Sequence, residues 1–399
     1  MNMLTFMELQ SEVKKSKIIK VLHLPNVVGG NAQELSRSLC SLGLESKSLT
    51  LFQSYLNYSV DIVLFQKGFS RLKKEFLRYY YLIFHMSKVD VIHYNFGSTL
   101  FSSICPYKPD LSYFGISCRI FYSSYVLLMQ YIELSFIRLL RKPIFIHYQG
   151  DDARQGVFSI KNFKYSIASQ VDSSYYNLYS DRFKQYMIRR MDRFCDKIYA
   201  VNPDLLHVLP SRACFIPYCH LSLDEWLPCY NRYTLDKPLR IGHAPTHRMA
   251  KGTDIICKAV NDLKNEGFLF DFEMIEGLSR EDARKKYQTI DVLIDQLFAG
   301  WYGGLAVELM ALGKPVLVYI REDDLQFIPS GMRDELPFIQ VTPDSVKEGL
   351  RTVLEMPRTE LLILAKQSRA FVEKWHDPLR IASEIKSDYE SALSKRGKF

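Results

Sequence analysis

The feature that most constrains the fold is a strict alternation. Short, apolar, strand-like runs recur along the chain, separated by segments with helical periodicity. In the first half the runs are Ile18–Leu24, Val89–Tyr94, Pro143–His147 and Ile198–Val201. In the second they are Leu239–His243, Phe270–Ile275, Asp291–Asp295 and Pro315–Tyr319. Several of them are continuous rather than alternating, which suits strands covered on both faces, and helices between them supply that cover. The pattern predicts an α/β chain with parallel sheets. Its 399 residues exceed the usual ~150 of one domain. The segment Pro217–Pro238 carries three prolines and no period, so it reads as a connection. The expected organisation is a first domain over 1–220, a linker over 221–238, a second domain over 239–375 and a final helix over 376–399.

Composition narrows the function class. Hydrophobic residues are 47% and charged residues 24%, a globular balance. Eight cysteines are scattered without a C-x-x-C pair, which argues against a zinc knuckle and a disulfide framework and for a reducing compartment. Residues 1–17 have an acidic interruption and no apolar core, so a cleaved signal peptide is not expected. No run of 18 uncharged apolar residues occurs, so a spanning helix is not expected either. The net charge of +8 suits an anionic ligand or an anionic membrane face. The basic residues are dispersed, so nucleic acid is not an expected partner.

Three segments carry candidate chemistry. Gly29-Gly30 precedes a helical stretch that Asn31 can cap and Gly43 can end. There the loop can approach an anion at a helix N-terminus, although the same pair also serves a plain tight turn. In the second half Arg248 and Lys251 stand three apart before a helix capped by Thr253 or Asp254 and ended by Gly267. Two cations and free amides there make a diphosphate site; a solvated basic loop is the alternative. Finally a strand ends at Asp295, and Gly303-Gly304 opens a helix in which Glu308 is the acidic member of an apolar run. Such a carboxylate needs a partner, which a sugar hydroxyl or a structural group can supply.

These residues have a familiar look together. GWYGGLAVELMALGKPVLVY resembles the donor-site segment of the retaining, GT-B-fold glycosyltransferases of the family 4 (group 1) type. HRMAKGTDIICKAV resembles their diphosphate segment, and LPNVVGGNAQELSRSLCSLG their N-terminal Gly-Gly loop. PIFIHYQGDDAR resembles the strand bearing their active-site histidine, and CDKIYAVNPDLLHVLP the last strand of their acceptor domain. FVEKWHDPLRIASEIKSDYESAL is similar to their final helices, which cross back onto the first domain.

The resemblance implies two Rossmann-like domains facing across a cleft, with acceptor bound by the first and nucleotide-sugar donor by the second. It implies that Arg248 and Lys251 neutralise the diphosphate, that Gly303, Gly304 and Leu305 hold phosphate and that Glu308 holds the ribose. Gly30 would approach the ligand from the first domain, and His147 would contact the donor sugar. No metal or other cofactor is expected. The family has a second glutamate eight positions before the helix glutamate, and here that position is Gly300. Asp295 or Asp151 is the candidate replacement. The expected activity is glycosyl transfer to a glycan or lipid-linked acceptor in cell-surface polysaccharide biosynthesis, in the cytoplasm. Same-fold sugar-nucleotide epimerization and non-catalytic nucleotide-sugar binding are the competing readings.

Two segments of the first half add a surface feature. Residues 116–142 are apolar and aromatic and end in Arg138, Arg141 and Lys142; RLKKEFLRYYYLIF, residues 71–84, is basic and aromatic. Each fits peripheral contact with an inner-membrane face or a buried crossover helix.

Overall fold

The computed structural model describes residues 18–397 except 27, 54–58, 103–112, 231–232 and 234–236; the reading of residues 1–17 lies outside them. The first half forms a seven-stranded sheet from β1 (Lys20–Leu24), β2 (Glu45–Thr50), β3 (Ile62–Val63), β4 (Val91–Asn95), β5 (Ile144–Tyr148), β6 (Lys197–Ala200) and β7 (Cys214–Phe215), in the order β3-β2-β1-β4-β5-β6-β7. The second forms a five-stranded sheet from β8 (Leu239–His243), β9 (Phe270–Met274), β10 (Val292–Ile294), β11 (Val316–Val318) and β12 (Ile339–Gln340), ordered β12-β11-β10-β8-β9. Every pairing is parallel.

All eight expected strands are present. Those not anticipated have a physical reason to be missed. β2 reads ESKSLT, yet it buries Ser46 and Ser48 because hydroxyl bonds satisfy them: Ser36 to Ser46 at 2.9 Å, and Ser48 to Asp61 at 2.7 Å. β3, β7 and β12 are two residues long, too short to show a period.

The helices relevant to function are α1 (Asn31–Ser41), α2 (Arg71–Phe84), α3 (Tyr113–Leu139), α4 (Arg248–Lys251), α5 (Thr253–Asn265), α6 (Arg280–Thr289), α7 (Gly304–Ala311), α8 (Arg358–Trp375) and α9 (Pro378–Ser394). Two expected caps are corrected. Asn31 is already helical, because its side-chain oxygen is taken by the amide of Cys219 at 2.7 Å, and Gly30 occupies the cap. Gly252, with φ of 80°, caps α5 in place of Thr253, whose buried hydroxyl instead bonds His243 Nε2 at 2.9 Å. Arg248 and Lys251 accordingly stand on the one-turn helix α4, not in a loop. The seven described cysteines are free thiols.

α9 ties the end of the chain to the first sheet. Ile381, Ala382, Ile385, Tyr389 and Leu393 are buried there with Leu35 and Leu39 of α1. Its polar anchors are Asp388, bonded to the Tyr199 hydroxyl at 2.6 Å and Lys197 at 3.1 Å, and Tyr389, whose hydroxyl bonds His93 Nδ1. His93 belongs to a buried row crossing four adjacent strands. His23 stacks on His93 with ring centroids 4.9 Å apart, His93 on His147 at 4.7 Å, and His147 on Tyr199 at 4.9 Å. Burial pushes His23 and His147 down to about 3, and His93 well below its ordinary value.

Neutral burial of these rings has a signed consequence. Between pH 6.5 and 3 the unfolded chain binds protons that the folded chain refuses, so stability is present at neutral pH and falls as pH falls. Urea unfolding at pH 7 and pH 5 should show a loss on the order of 2 kcal/mol for each such histidine. His147→Asn should make the pH dependence shallower, and an unchanged slope would count against the row as its source.

Candidate active site

The strands of both sheets end toward a shared cleft, where parallel α/β sheets hold ligands. A cavity of about 570 Å³ lies there, walled by Val28 and Gly29 from the first half, His220 and Trp226 from the connection, and residues after β8 and β9 and on α6 and α7. Gly29 and Gly30 have φ of 61° and 80°, the left-handed region open to glycine, and nothing stands within 4 Å of a Cβ built on Gly29. Gly30 borders the adjoining crevice beside His220 and Arg280.

One end of the cavity is built for anions. Lys251 lines it, and its Nζ is 2.9 Å from Oδ1 of Asp295. The other oxygen of that carboxylate accepts the Gly303 amide at 3.0 Å. Within α7, Ala306 and Val307 donate to the Gly303 carbonyl. The amides of Gly304 and Leu305 therefore precede the helical ladder, and both residues line the cavity. A Cβ on Gly304 would come within 3.3 Å of His220 Nε2. Cation, amides and helix dipole together favour a phosphate here.

Glu308 stands one turn further on, only 14% exposed, with Oε1 3.9 Å from His220 Nε2. Burial pushes its carboxyl up to about 7, with Arg280 and Arg284 pulling in the other direction. His220 Nε2 donates to the Gly304 carbonyl at 3.1 Å, while its Nδ1 is buried without a hydrogen-bond partner. The apolar part of the lining comes from Trp226, Ile275, Leu278, Ala283 and Tyr287, and Arg284 lies 4.7 Å over the Trp226 ring.

The remaining expected residues lie elsewhere. His147, expected to face the cleft, is 1% exposed and points under α9, because it shares strand parity with Phe145 rather than with Ile146. Asp295, 1% exposed, has both oxygens committed to Lys251 and Gly303 and does not line the cavity. Arg248 is half-exposed and paired with Glu276 at 2.8 Å, outside the cavity lining. Asp151 stands at the seam between the halves. Its carboxylate receives the Tyr175 hydroxyl at 2.5 Å, the Tyr176 hydroxyl and Arg154 at 3.2 Å, and the Tyr175 ring meets His247 with centroids 5.6 Å apart. Burial opposes its charge, but Arg154 and the two tyrosines outweigh that and hold it below the usual carboxylate range.

The place of the missing glutamate is occupied. Gly300 has φ of 77°, and a Cβ there would meet the Arg321 guanidinium at 2.5 Å. Arg321 is bonded to Asp324 at 2.7 Å and to the Tyr165 carbonyl at 3.1 Å, and lies 3.6 Å over the Phe163 ring. Asp324 also bonds His207 at 2.9 Å, so this cluster joins the two halves.

Sequence reasoning missed His220, Trp226, Glu276 and Arg280 as cavity residues. The first two lie in the aperiodic connection Pro217–Pro238, and Arg280 opens a helix whose polarity resembles any solvated face. Among the described residues no group of three or more His, Cys, Asp or Glu is arranged to hold a metal ion.

No family model matches the chain, and no curated protein does. Solved structures do. Sucrose-phosphate synthase from Thermosynechococcus elongatus aligns at TM-score 0.56 and 14% identity, over 95% of this chain and 100% of its own. The catalytic domain of starch synthase IV from Arabidopsis thaliana, bound to ADP and acarbose, aligns at TM-score 0.56 and 9% identity, over 94% and 99%. HepE of Anabaena, in complex with UDP and glucose, aligns at 0.55 and 11%, over 94% and 100%. This is the GT-B fold. Two parallel-sheet domains face one cleft, and the last helix crosses back to the first.

The geometry ranks the cations. Lys251→Ala should weaken nucleoside-diphosphate binding by roughly 1.5–3 kcal/mol, the scale of a charge-assisted hydrogen bond. Arg248→Ala, at the half-exposed pair, should cost less in the same titration. Asp295→Ala strands a buried lysine and should destabilise the fold by about 3 kcal/mol or more. Equal losses of affinity for the two cation variants would contradict the ranking.

Proposed function

We propose that the protein is a glycosyltransferase that moves a sugar from a nucleotide-sugar donor to a glycan or lipid-linked acceptor. The observation that carries this reading is the joining, in one cavity, of Lys251, the amides opening α7 and the Glu308 carboxylate. Phosphate at the α7 terminus puts an attached ribose within reach of Glu308, and an ionised carboxylate can accept from two vicinal hydroxyls. The base then takes the apolar lining of Ile275 and Tyr287.

In the reaction the bond from the anomeric carbon to the diphosphate oxygen breaks, the acceptor oxygen bonds to that carbon, and the acceptor proton passes to the departing diphosphate. Charge develops on the departing diphosphate, where Lys251 and the Gly304 and Leu305 amides stabilise it without a metal. The acceptor approaches from the first half, past Gly29. We assign retention of configuration and a cytoplasmic role in cell-surface polysaccharide assembly to the same reading, on the strength of the resemblance in the α7 segment.

Incubation with a panel of nucleotide sugars, followed by product analysis with glycan and lipid-linked acceptors, tests the reaction. Transfer, or slow donor hydrolysis without acceptor, is expected; conversion of the donor sugar with no acceptor would identify an epimerase. Binding tests the site. Glu308→Ala should weaken the natural donor but make little further difference to a 2′,3′-dideoxy donor. Because burial pushes the Glu308 carboxyl up to about 7, nucleotide-sugar affinity should fall by up to about tenfold from pH 8 to pH 6. Glu308→Gln should flatten that dependence.

A further inference from the structure

The outer face of the first domain carries a surface that the cleft does not use. On α2, Leu72 and Phe76 are 85% and 66% exposed, and Tyr80 and Phe84 continue the same stripe. On α3, Phe114, Phe121, Leu128 and Leu139 are 80%, 78%, 59% and 80% exposed. That stripe runs the length of Phe114–Leu139, 26 residues, or about 39 Å at the α-helical rise. Single exposed apolar residues are ordinary, but two aligned stripes of this length are not.

The helices form one surface. Tyr79 and Tyr125 share a hydrogen bond of 2.7 Å, and Glu75 accepts from Tyr125 at 3.0 Å and Arg78 at 2.6 Å. Both are crossovers between parallel strands and so run in the same direction. On each helix the exposed stripe lies roughly a quarter turn from this contact line, in opposite senses, so both stripes look outward on one side.

We propose that this α2–α3 face docks on an anionic lipid bilayer. Charge complementarity selects that occupant. Arg71 and Lys73 are exposed at the start of α2, and so are Arg141 and Arg138, the latter 3.5 Å from Asp196, at the end of α3. Within α2 the charged residues are Arg71, Lys73, Lys74 and Arg78 against Glu75 alone, and Glu75 is already paired with Arg78. Apolar side chains enter the headgroup boundary while the flanking cations meet lipid phosphates.

By length and composition α3 could cross a membrane, which the absence of an uncharged run had argued against. Its inner face binds it to the domain instead. Val126, Leu134 and Ile137 are buried on the sheet. Glu133, also buried, accepts the Tyr94 hydroxyl at 2.5 Å and the amides of Leu100 and Phe101 at 3.0 and 3.1 Å. Crossing would strand this carboxylate, so the helix lies along the surface. This face shares no residue with the cavity lining.

Co-sedimentation of the full chain with phosphatidylcholine vesicles, with and without phosphatidylglycerol, tests the proposal. Binding should require phosphatidylglycerol and weaken with added salt. Phe76→Glu with Phe121→Glu should lower partitioning at least ~10-fold, and Arg71→Glu with Lys73→Glu should remove the preference for anionic lipid. All four positions are exposed, and an unchanged thermal transition confirms intact folding. Failure to bind anionic vesicles, or binding unaffected by both pairs, overturns the proposal. So does release by detergent alone, which would mark a spanning helix, or a dimer that Phe76→Glu with Phe121→Glu dissolves while vesicles go unbound.

Discussion

The cleft depends on one buried carboxylate. Asp295 ends the central strand of the second sheet, and its two oxygens hold two different elements: the lysine closing α4 and the amide at the start of α7. Removed from water, an ionised carboxylate of this kind needs both contacts to offset its desolvation. The result is that Lys251 and the bare amides of Gly304 and Leu305 are presented together at one end of the cavity. Asp295, a candidate replacement for the glutamate that Gly300 displaces, thus holds parts of the cavity wall in place.

A second constraint governs how the halves meet. Where the resembled family has a glutamate, Gly300 leaves room for the Arg321 guanidinium, which pairs with Asp324 and stacks on Phe163 across the seam. Asp324 reaches His207 of the first half. The loss of one carboxylate from the pattern is thus coupled to a cationic anchor between domains. α9 makes the other tie, through Tyr389 to His93 and Asp388 to Tyr199. The cavity is held from both sides by contacts that lie outside its lining.

Alternation of mainly apolar runs and helical periods determined eight strands of the two parallel sheets, because that signal is local: a strand covered on both faces is apolar along most of its length. Glu308 was legible for the same kind of reason, since a carboxylate in an apolar helix after two glycines is unusual within a dozen residues. What tertiary structure decided is where each side chain points. His147 lies under α9 because strand parity sends odd and even positions to opposite faces, and its row is completed by Tyr389 from the far end of the chain. Asp295 is consumed by partners on separate elements, and His220 enters the cavity from a segment with no period of its own. These outcomes depend on contacts between residues distant in sequence, and no local pattern encodes them.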